Sequence, residues 1–180
     1  IDILDGVFAP NKTFLDQAPF LEYAKDLRLE VHMMVDNPAQ YIEKWVSAGF
    51  TRFIGQIEKM PDIVEFVAKA EEVGEVGLAV DSDTPSDKLN EYLDDLDFAF
   101  VMTVKAGFSN QSFLPDMLKK VEELRIAHEW IPIEVDGGIN SENIVKAKNA
   151  GATRFVSTGF IFNQGENPQK QFETLQALVR

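Results

Sequence analysis

The sequence predicts an α/β fold, a (β/α)8 TIM barrel in which seven of the eight strands lie within the 180 residues. Two observations predict it. Short apolar, β-branched runs alternate with runs that carry helix caps and stops, an order typical of a parallel sheet covered by helices. In addition, AGFTRFIG at 48–55 returns as AGATRFVS at 150–157, a helix stop followed by a strand with the same spacing. Repeated βα units of this kind build such a barrel.

The predicted strands are the apolar runs that lie between turn-forming segments. They are Ile1–Leu4, Leu29–Val35, Thr51–Ile57, Glu75–Val80, Asp97–Val104, Ile131–Asp136 and Thr153–Ser157. Seven strands leave a barrel open along one edge, whereas eight close it. We therefore expect residues 1–180 to form a single barrel domain that lacks its first strand and helix. An open, flavodoxin-like sheet is the alternative.

The predicted helices are recognised by their ends, where capping residues, Pro and Gly cluster. One helix opens at Asp36-Asn37-Pro38 and closes at Ala48-Gly49, a second opens at Thr84 or Ser86, and a third opens at Asn140 or Ser141 and closes at Ala150-Gly151. We expect the large aromatic side chains to pack in the core or between helices: Phe14, Phe20, Trp45, Phe66 and Trp130.

Composition excludes several classes of site and partner. The chain has no cysteine, which excludes disulfides, thiolate metal sites and cysteine nucleophiles. A formal net charge of −13 argues against nucleic acid and anionic membrane surfaces as partners. We see no signal peptide and no run of 18 or more apolar residues, and we expect a cytoplasmic protein. A small anionic substrate is compatible with the charge, because helix N-termini and loop amides bind phosphate.

Side-chain alternation places three polar residues inside the predicted barrel. In LEVHMMV the apolar set suits the interface between strand and helix, which leaves His32 on the inner face. The same alternation in IDIL and IEVD places Asp2 and Asp136 inside, toward the strand ends where barrel enzymes carry their chemistry. Two carboxylates and an imidazole in one confined space need a partner, and their oxygen and nitrogen atoms suit Zn²⁺ or Mn²⁺.

Four segments resemble the signature segments of the ribulose-phosphate 3-epimerase family: IDILDGVFAPNKTF, VHMMVDNP, VMTVKAGFSNQSF and IEVDGGIN. They occur in the family's order and spacing along nearly the whole chain. The resemblance implies a (β/α)8 barrel and a metal-dependent 1,1-proton transfer at C3 of a ketopentose 5-phosphate. The reaction so implied converts D-ribulose 5-phosphate to D-xylulose 5-phosphate.

The resemblance also implies roles for individual residues. Asp2 and Asp136 would be the acid/base pair on opposite faces of the substrate. Together with His32 they would bind a divalent metal (Zn, Mn or Fe) that stabilises the enediolate intermediate. The family's fourth ligand is a histidine immediately before the position of Ile1. The substrate-binding residues implied are Met34, Met102, Gly107, Phe108, Ser109, Asn110, Gly137, Gly138, Thr158 and Gly159. We expect a homo-oligomer that binds a small phosphorylated sugar.

The chain departs from the family pattern at both phosphate-binding segments. The usual Pro-Gly-Phe-Gly-Gly is Ala106–Asn110 here, and Thr158-Gly159 stands in place of Gly-Ser. Lys105 replaces a residue that is commonly neutral or acidic, and Gln56 stands where the family often has histidine. These changes together suggest a divergent branch.

The departures leave two alternatives to the pentulose-phosphate epimerase. One is a non-catalytic or altered-specificity phosphosugar-binding relative, including a hexulose-6-phosphate 3-epimerase. The other is a decarboxylase or aldol-type synthase of the same superfamily. That group needs D-x-K-x-x-D at a strand end, and VDSDTPSD at 80–87 supplies acids without the lysine.

Overall fold

The computed structural model describes residues 1–162 and 165–180, and its centre is a parallel sheet of seven strands. The strands pair in chain order: β1 (Asp2–Leu4), β2 (Leu29–Met34), β3 (Phe50–Gln56), β4 (Glu75–Val80), β5 (Phe98–Met102), β6 (Ile133–Asp136) and β7 (Arg154–Val156). Every predicted strand is therefore confirmed, with ends that shift by a few residues.

The α-helices lie between the strands and after the last one. They are α1 (Ile42–Val46), α2 (Ile63–Glu71), α3 (Leu118–Ala127), α4 (Asn143–Ala150), α5 (Gly159–Phe162) and α6 (Pro168–Val179). Among the described residues, no helix is both long and apolar enough to cross a membrane.

The helix expected at Thr84 or Ser86 is absent as an α-helix. Two 3-10 turns, Ser86–Leu89 and Leu93–Asp95, occupy this connection instead. The segment is rich in Asp and Asn, which are poor helix formers because their side chains compete for backbone hydrogen bonds. The Lys120 ammonium also accounts for the local path, since it donates to the carbonyl oxygens of Asp81, Ser82 and Thr84 at 2.6–2.8 Å.

Alternation along the strands separates two apolar layers. Leu29, Val31 and Met33 belong to the outer layer between sheet and helices. The inner layer fills the concave side of the sheet and contains Leu4, Met34, Ile54, Ala79, Phe98, Phe100, Met102, Val104 and Ala106. The predicted assignment of the two faces of β2 is thus confirmed. Among the aromatic residues, Trp45 and Phe66 are fully buried, whereas Phe14 and Trp130 are exposed, so the expected packing of those two is wrong.

The sheet is curled. Asp2 on β1 and Asp136 on β6 are five strand positions apart, which in a flat sheet with about 4.8 Å between strands would be about 24 Å. Their side-chain oxygens nevertheless lie within 4.8 Å of each other. Strands β1 and β6 therefore face one another across a barrel interior, and the open flavodoxin-like alternative is excluded.

The edges of the sheet are β1 and β7. Among the described residues β1 pairs only with β2, and β7 pairs only with β6. The eighth strand that would close the barrel, expected from a segment preceding Ile1, stays a prediction.

Candidate active site

The side chains of Asp2, His32 and Asp136 come together from three strands, β1, β2 and β6. Asp2 and His32 are direct neighbours in the register of β1 and β2, and Asp136 is the last residue of β6. One ligand atom of each residue lies within 4.8 Å of the others. The prediction that these three residues meet in the barrel interior is confirmed. Their expected position toward the strand ends holds for Asp136, whereas Asp2 is the first residue of β1 and His32 lies within β2.

His32 is held by contacts on several sides. Its ring is buried and lies against Phe100, with ring centroids 4.7 Å apart. Its Nε2 is 2.7 Å from Gln56 Oε1, and its Nδ1 is 3.3 Å from Asp2 Oδ1 without the alignment of a hydrogen bond. The Nδ1 atom is therefore a buried polar atom that lacks a hydrogen-bond partner among the described residues and faces the two carboxylates.

The three groups differ in how they hold protons. Burial and the charge of Asp2 raise the pKa of Asp136 to about 7, although His32 opposes the shift. Burial also raises the pKa of Asp2, but the contact with His32 and its charge outweigh burial and leave this pKa below its ordinary value. Burial lowers the pKa of His32, but Asp2 and Asp136 raise it further and the net shift is upward. Two carboxyls with such different proton affinities can act as an acid and a base.

The same three residues fit a divalent cation. Two carboxylate oxygens and one imidazole nitrogen are ligands that Zn²⁺ and Mn²⁺ accept, and a cation would satisfy the buried Nδ1 of His32. It would also offset the repulsion between two carboxylates that share one site.

A cavity of about 610 Å³ opens beside the three polar residues. Asp2 and Asp136 line it, whereas His32 lies behind them in the wall. Every predicted substrate-binding residue lines this cavity: Met34, Met102, Gly107, Phe108, Ser109, Asn110, Gly137, Gly138, Thr158 and Gly159. The segments Gly107–Asn110, Gly137-Gly138 and Thr158-Gly159 therefore converge on one space.

The turn after β6 is built on two glycines in the left-handed region. Gly137 has φ 119° and Gly138 has φ 65°, and a Cβ on Gly138 would lie 2.9 Å from the backbone of Phe113. Thr103 anchors this turn, because its hydroxyl donates to the carbonyl oxygens of Asp136 and Gly137. The Asp-Gly-Gly sequence thus fixes the carboxylate of Asp136 at the strand end and brings bare backbone to the cavity.

The loop between β5 and α3 is held by its own side chains. Gln111 donates to the carbonyl oxygens of Lys105 and Phe108, and Asn11 donates to that of Gly107 at 2.7 Å. Lys105 does not line the cavity, and its ammonium lies 3.2 Å from the exposed carboxylate of Asp83.

Several polar residues of the site were missed by sequence reasoning. Asn11, Thr13, Gln111, Asn140 and Ser157 also line the cavity. Asn11 and Gln111 lie inside two of the quoted family segments, so their position in those segments was a usable signal. The contact between Gln56 and His32 depends on strand register, which the sequence does not specify.

Solved structures similar to this chain are TIM-barrel enzymes. A 3-hexulose-6-phosphate synthase matches with a TM-score of 0.69 and 17% identity, over 91% of this chain and 81% of that one. The KGPDC of Streptococcus mutans matches with a TM-score of 0.70 and 13% identity, over 91% of this chain and 78% of that one. At these identities the likeness shows the barrel fold alone.

Sequence relatives are closer. The ribulose-phosphate 3-epimerase of Chlamydia pneumoniae is 36% identical over 90% of this chain and 74% of its own length. Those of Schizosaccharomyces pombe and Bacillus subtilis are 32% and 33% identical, over 99% and 92% of this chain and 80% of their own lengths. A protein-family model described as the ribulose-phosphate 3 epimerase family matches residues 1–162 of this chain. The chain therefore belongs to the ribulose-phosphate 3-epimerase family.

Proposed function

We propose that this protein epimerises C3 of a ketopentose 5-phosphate, interconverting D-ribulose 5-phosphate and D-xylulose 5-phosphate. The observation that supports this most strongly is the pair Asp2 and Asp136. Both carboxylates line one cavity, their ligand atoms lie within 4.8 Å of each other, and their pKa values are shifted in opposite directions. Family membership and the curated relatives named above point to the same reaction.

The two carboxyls divide the proton transfer between them. In one direction Asp2, the stronger acid and therefore ionised, removes the proton from C3 on one face of the sugar. The C3–H electron pair forms a C2=C3 double bond and the carbonyl π pair moves onto the C2 oxygen, which gives an enediolate. Asp136 then delivers its proton to C3 from the other face as the C2 carbonyl re-forms. Asp2 ends protonated and Asp136 ionised, so the enzyme is then set for the reverse reaction.

Asp2, His32 and Asp136 are the residues that would hold a divalent cation, Zn, Mn or Fe, beside the reacting carbons. When bound, the cation supplies positive charge that stabilises the oxygens of the enediolate. His32 orients the site through its contact with Asp2, and the Gln56 and Phe100 contacts hold its ring in place. Met34 and Met102 give the cavity an apolar wall near the reacting carbons.

The phosphate group of the sugar would bind at the far end of the cavity. We place it between the loop at Gly107–Asn110, the turn at Gly137-Gly138 and the segment Thr158-Gly159. Backbone amides of these loops would provide most of the hydrogen bonds, which agrees with a net charge of −13 and with a cavity lining that does not include Lys105.

The altered phosphate loops support the alternative of a divergent relative. Such a relative would either act on another substrate, as a hexulose-6-phosphate 3-epimerase does, or bind phosphosugars without turnover. Ser109 and Asn110 replace glycines and line the cavity. The decarboxylase or synthase alternative has no such support. Asp81, the first acid of VDSDTPSD, is buried and accepts from the amides of Ser82 and Ala106 rather than facing the cavity.

Solvent deuterium exchange tests the proposal. Ribulose 5-phosphate is incubated with the full-length protein in D₂O with added Zn²⁺, Mn²⁺ or Fe²⁺, and deuterium at C3 is followed by NMR. Deuterium should enter C3 as xylulose 5-phosphate forms. If the protein binds the sugar phosphate but catalyses no exchange with any of the metals, the epimerase proposal fails and a phosphosugar-binding protein takes its place. If exchange occurs only with a hexulose 6-phosphate, the substrate is a hexulose phosphate instead of ribulose 5-phosphate. A homo-oligomeric state and a cytoplasmic location stay predictions.

A further inference from the structure

A chain of polar groups leads from His32 through the barrel wall to its outer rim. His32 Nε2 is 2.7 Å from Gln56 Oε1, and Gln56 Nε2 donates to Glu58 Oε2 at 2.8 Å. Glu58 Oε1 in turn accepts from the backbone amide of Asp81 at 2.7 Å. The Asp81 carboxylate accepts from the amide of Ala106, where the loop toward the phosphate region begins. The first link is fully buried, since both His32 and Gln56 lie in the core.

The chain has a direction that is set at its outer end. The Glu58 carboxylate accepts from the Asp81 amide and from Gln56, so the Gln56 side chain must present its NH₂ group to Glu58. Its carbonyl oxygen then faces His32. An amide oxygen only accepts, so Nε2 of His32 must carry the hydrogen. In the neutral ring, Nδ1 is therefore the atom with the free electron pair, and it is the atom that faces Asp2 and Asp136.

We infer that Gln56 and Glu58 are positioning residues that lock His32 in its Nε2–H tautomer and so present Nδ1 to a cation held by Asp2 and Asp136. The inference rests on the proposed function in one respect, that a cation is bound there. It assigns a purpose to Gln56, whose amide side chain is fully buried in the barrel wall. Neither Gln56 nor Glu58 lines the cavity, so neither contacts the substrate directly.

Outer partners of a metal-bound histidine typically contribute about 10–100-fold to metal affinity, because they fix the tautomer and the ring orientation. Gln56→Met keeps the length of the side chain but removes both its acceptor and its donor. Gln56→His restores both, since one ring nitrogen can accept from His32 while the other donates to Glu58. Gln169→Met is the matched control, because it removes a Gln–Glu hydrogen bond of the same 2.8 Å length on the distant helix α6.

Two readouts follow the tautomer and the affinity separately. The chain has only two histidines, so ¹⁵N-histidine labelling gives a spectrum with two rings. His128 accepts from the amide of Ile131 through Nδ1 and serves as an internal reference. Two-bond ¹H–¹⁵N correlations at alkaline pH in the metal-free protein show which nitrogen of His32 carries the hydrogen. Titration with Co²⁺ and Zn²⁺ in the absence of sugar gives Kd.

Wild type, Gln56→His and Gln169→Met should show the Nε2–H tautomer of His32 and similar Kd values. Gln56→Met should show a mixture of tautomers and a Kd about 10–100-fold weaker. A wild-type tautomer together with a wild-type Kd in Gln56→Met would overturn the inference. If Gln56→Met fails to fold, Glu58→Gln takes its place at an exposed position. It should give a mixed tautomer with a smaller loss of affinity, and unchanged values would again overturn the inference.

The outcomes for the inference and for the proposed function are distinguishable. A wild-type protein that binds neither metal and catalyses no deuterium exchange contradicts the proposed function. The tautomer comparison of the metal-free proteins still decides whether Gln56 sets the state of His32.

Discussion

Arg52 and Arg154 lie over the same aromatic ring. The guanidinium carbon of each is 4.8 Å from the centroid of Phe98, and both also reach the carboxylate of Glu75. The two arginines occupy equivalent positions in the repeated segments AGFTRFIG and AGATRFVS. The internal repeat of the sequence thus supplies two arginines that contact one ring near the amino-terminal ends of β3, β5 and β7.

Phe98→Leu should lower the free energy of unfolding by about 2–3 kcal/mol, because it removes buried ring area and both cation–π contacts. Urea unfolding measures the change. Phe66→Leu is the control, since Phe66 is also fully buried but lies in the outer layer. Equal losses in the two variants would show that the arginines add nothing to the packing of Phe98.

Glu134, which is buried in the barrel interior, predicts that the stability of the protein depends on pH. Burial and the charge of Glu30 raise the pKa of Glu134 from 4.5 to about 9, and Arg52 only partly opposes this. The native state therefore keeps a proton that the unfolded state loses above its lower pKa. The contribution of the protonated Glu134 to the free energy of unfolding is fully present below about pH 4.5. It is lost as the pH rises toward 9, by up to about 1.4 kcal/mol per pH unit.

Glu134→Gln removes the titratable carboxyl group, so the variant does not lose stability through deprotonation at this position. The free energy of unfolding of the variant, relative to wild type, should rise steadily between pH 5 and pH 9. Glu142→Gln is the control: Glu142 is exposed, and its pKa is lowered by the hydrogen bond and charge of Lys146, so it titrates below this window. Parallel stability curves for wild type and Glu134→Gln would contradict the prediction.

His32→Gln should act through metal affinity. Loss of the imidazole removes one of the three candidate ligands, so the weakening of Zn²⁺ or Mn²⁺ binding should exceed the roughly 10–100-fold typical of an outer partner. Excess metal should therefore restore part of the exchange activity. The measurement is the exchange rate as a function of metal concentration. A rate that stays low at saturating metal, with Kd unchanged, would assign His32 another role.

The loop at 106–111 predicts an effect on substrate affinity. Asn110 is held at φ 61°, in the left-handed region that glycine adopts without strain, and Ser109 lines the cavity. The double variant Ser109→Gly with Asn110→Gly should lower KM for ribulose 5-phosphate by about 3–10-fold, worth roughly 1 kcal/mol. Ser112→Gly, directly after this loop and outside the cavity lining, should leave KM unchanged. A rise in KM in the double variant would mean that these side chains hold the substrate.

The barrel could be predicted because its signal is local and repeated. Alternation in β2 separated Leu29, Val31 and Met33 from His32, and the structure buries the two sets on opposite faces of the sheet. The same alternation in β1 and β6 was enough to bring Asp2 and Asp136 toward His32. The face of the sheet on which a side chain lies follows from alternation along the strand, and an error of a residue or two at a strand end does not change it. The prediction of the three central residues therefore did not depend on exact strand boundaries.

Contacts between strands could not be predicted in the same way. The register of β2 and β3 shifts by one residue between Leu29 and Glu30, and no feature of the sequence predicts this shift. The pairing of Gln56 with His32 depends on it. The exposure of Trp130 is another example, because an aromatic residue at a helix end gives no sign of whether a neighbouring element covers it. Side-chain identity predicts the layer of a strand residue better than it predicts its partner.

We propose that Asp2 and Asp136 move the C3 proton, and replacing each of them by Asn is the decisive experiment. Asn keeps the size and hydrogen bonding of Asp but cannot carry the proton. With ribulose 5-phosphate in D₂O and added Zn²⁺, Mn²⁺ or Fe²⁺, the full-length wild type should incorporate deuterium at C3. Both variants should lose this exchange by several powers of ten, roughly 10²–10⁴-fold or more. Exchange at the wild-type rate in either variant, or no exchange by the wild type with any of the metals, would contradict the account.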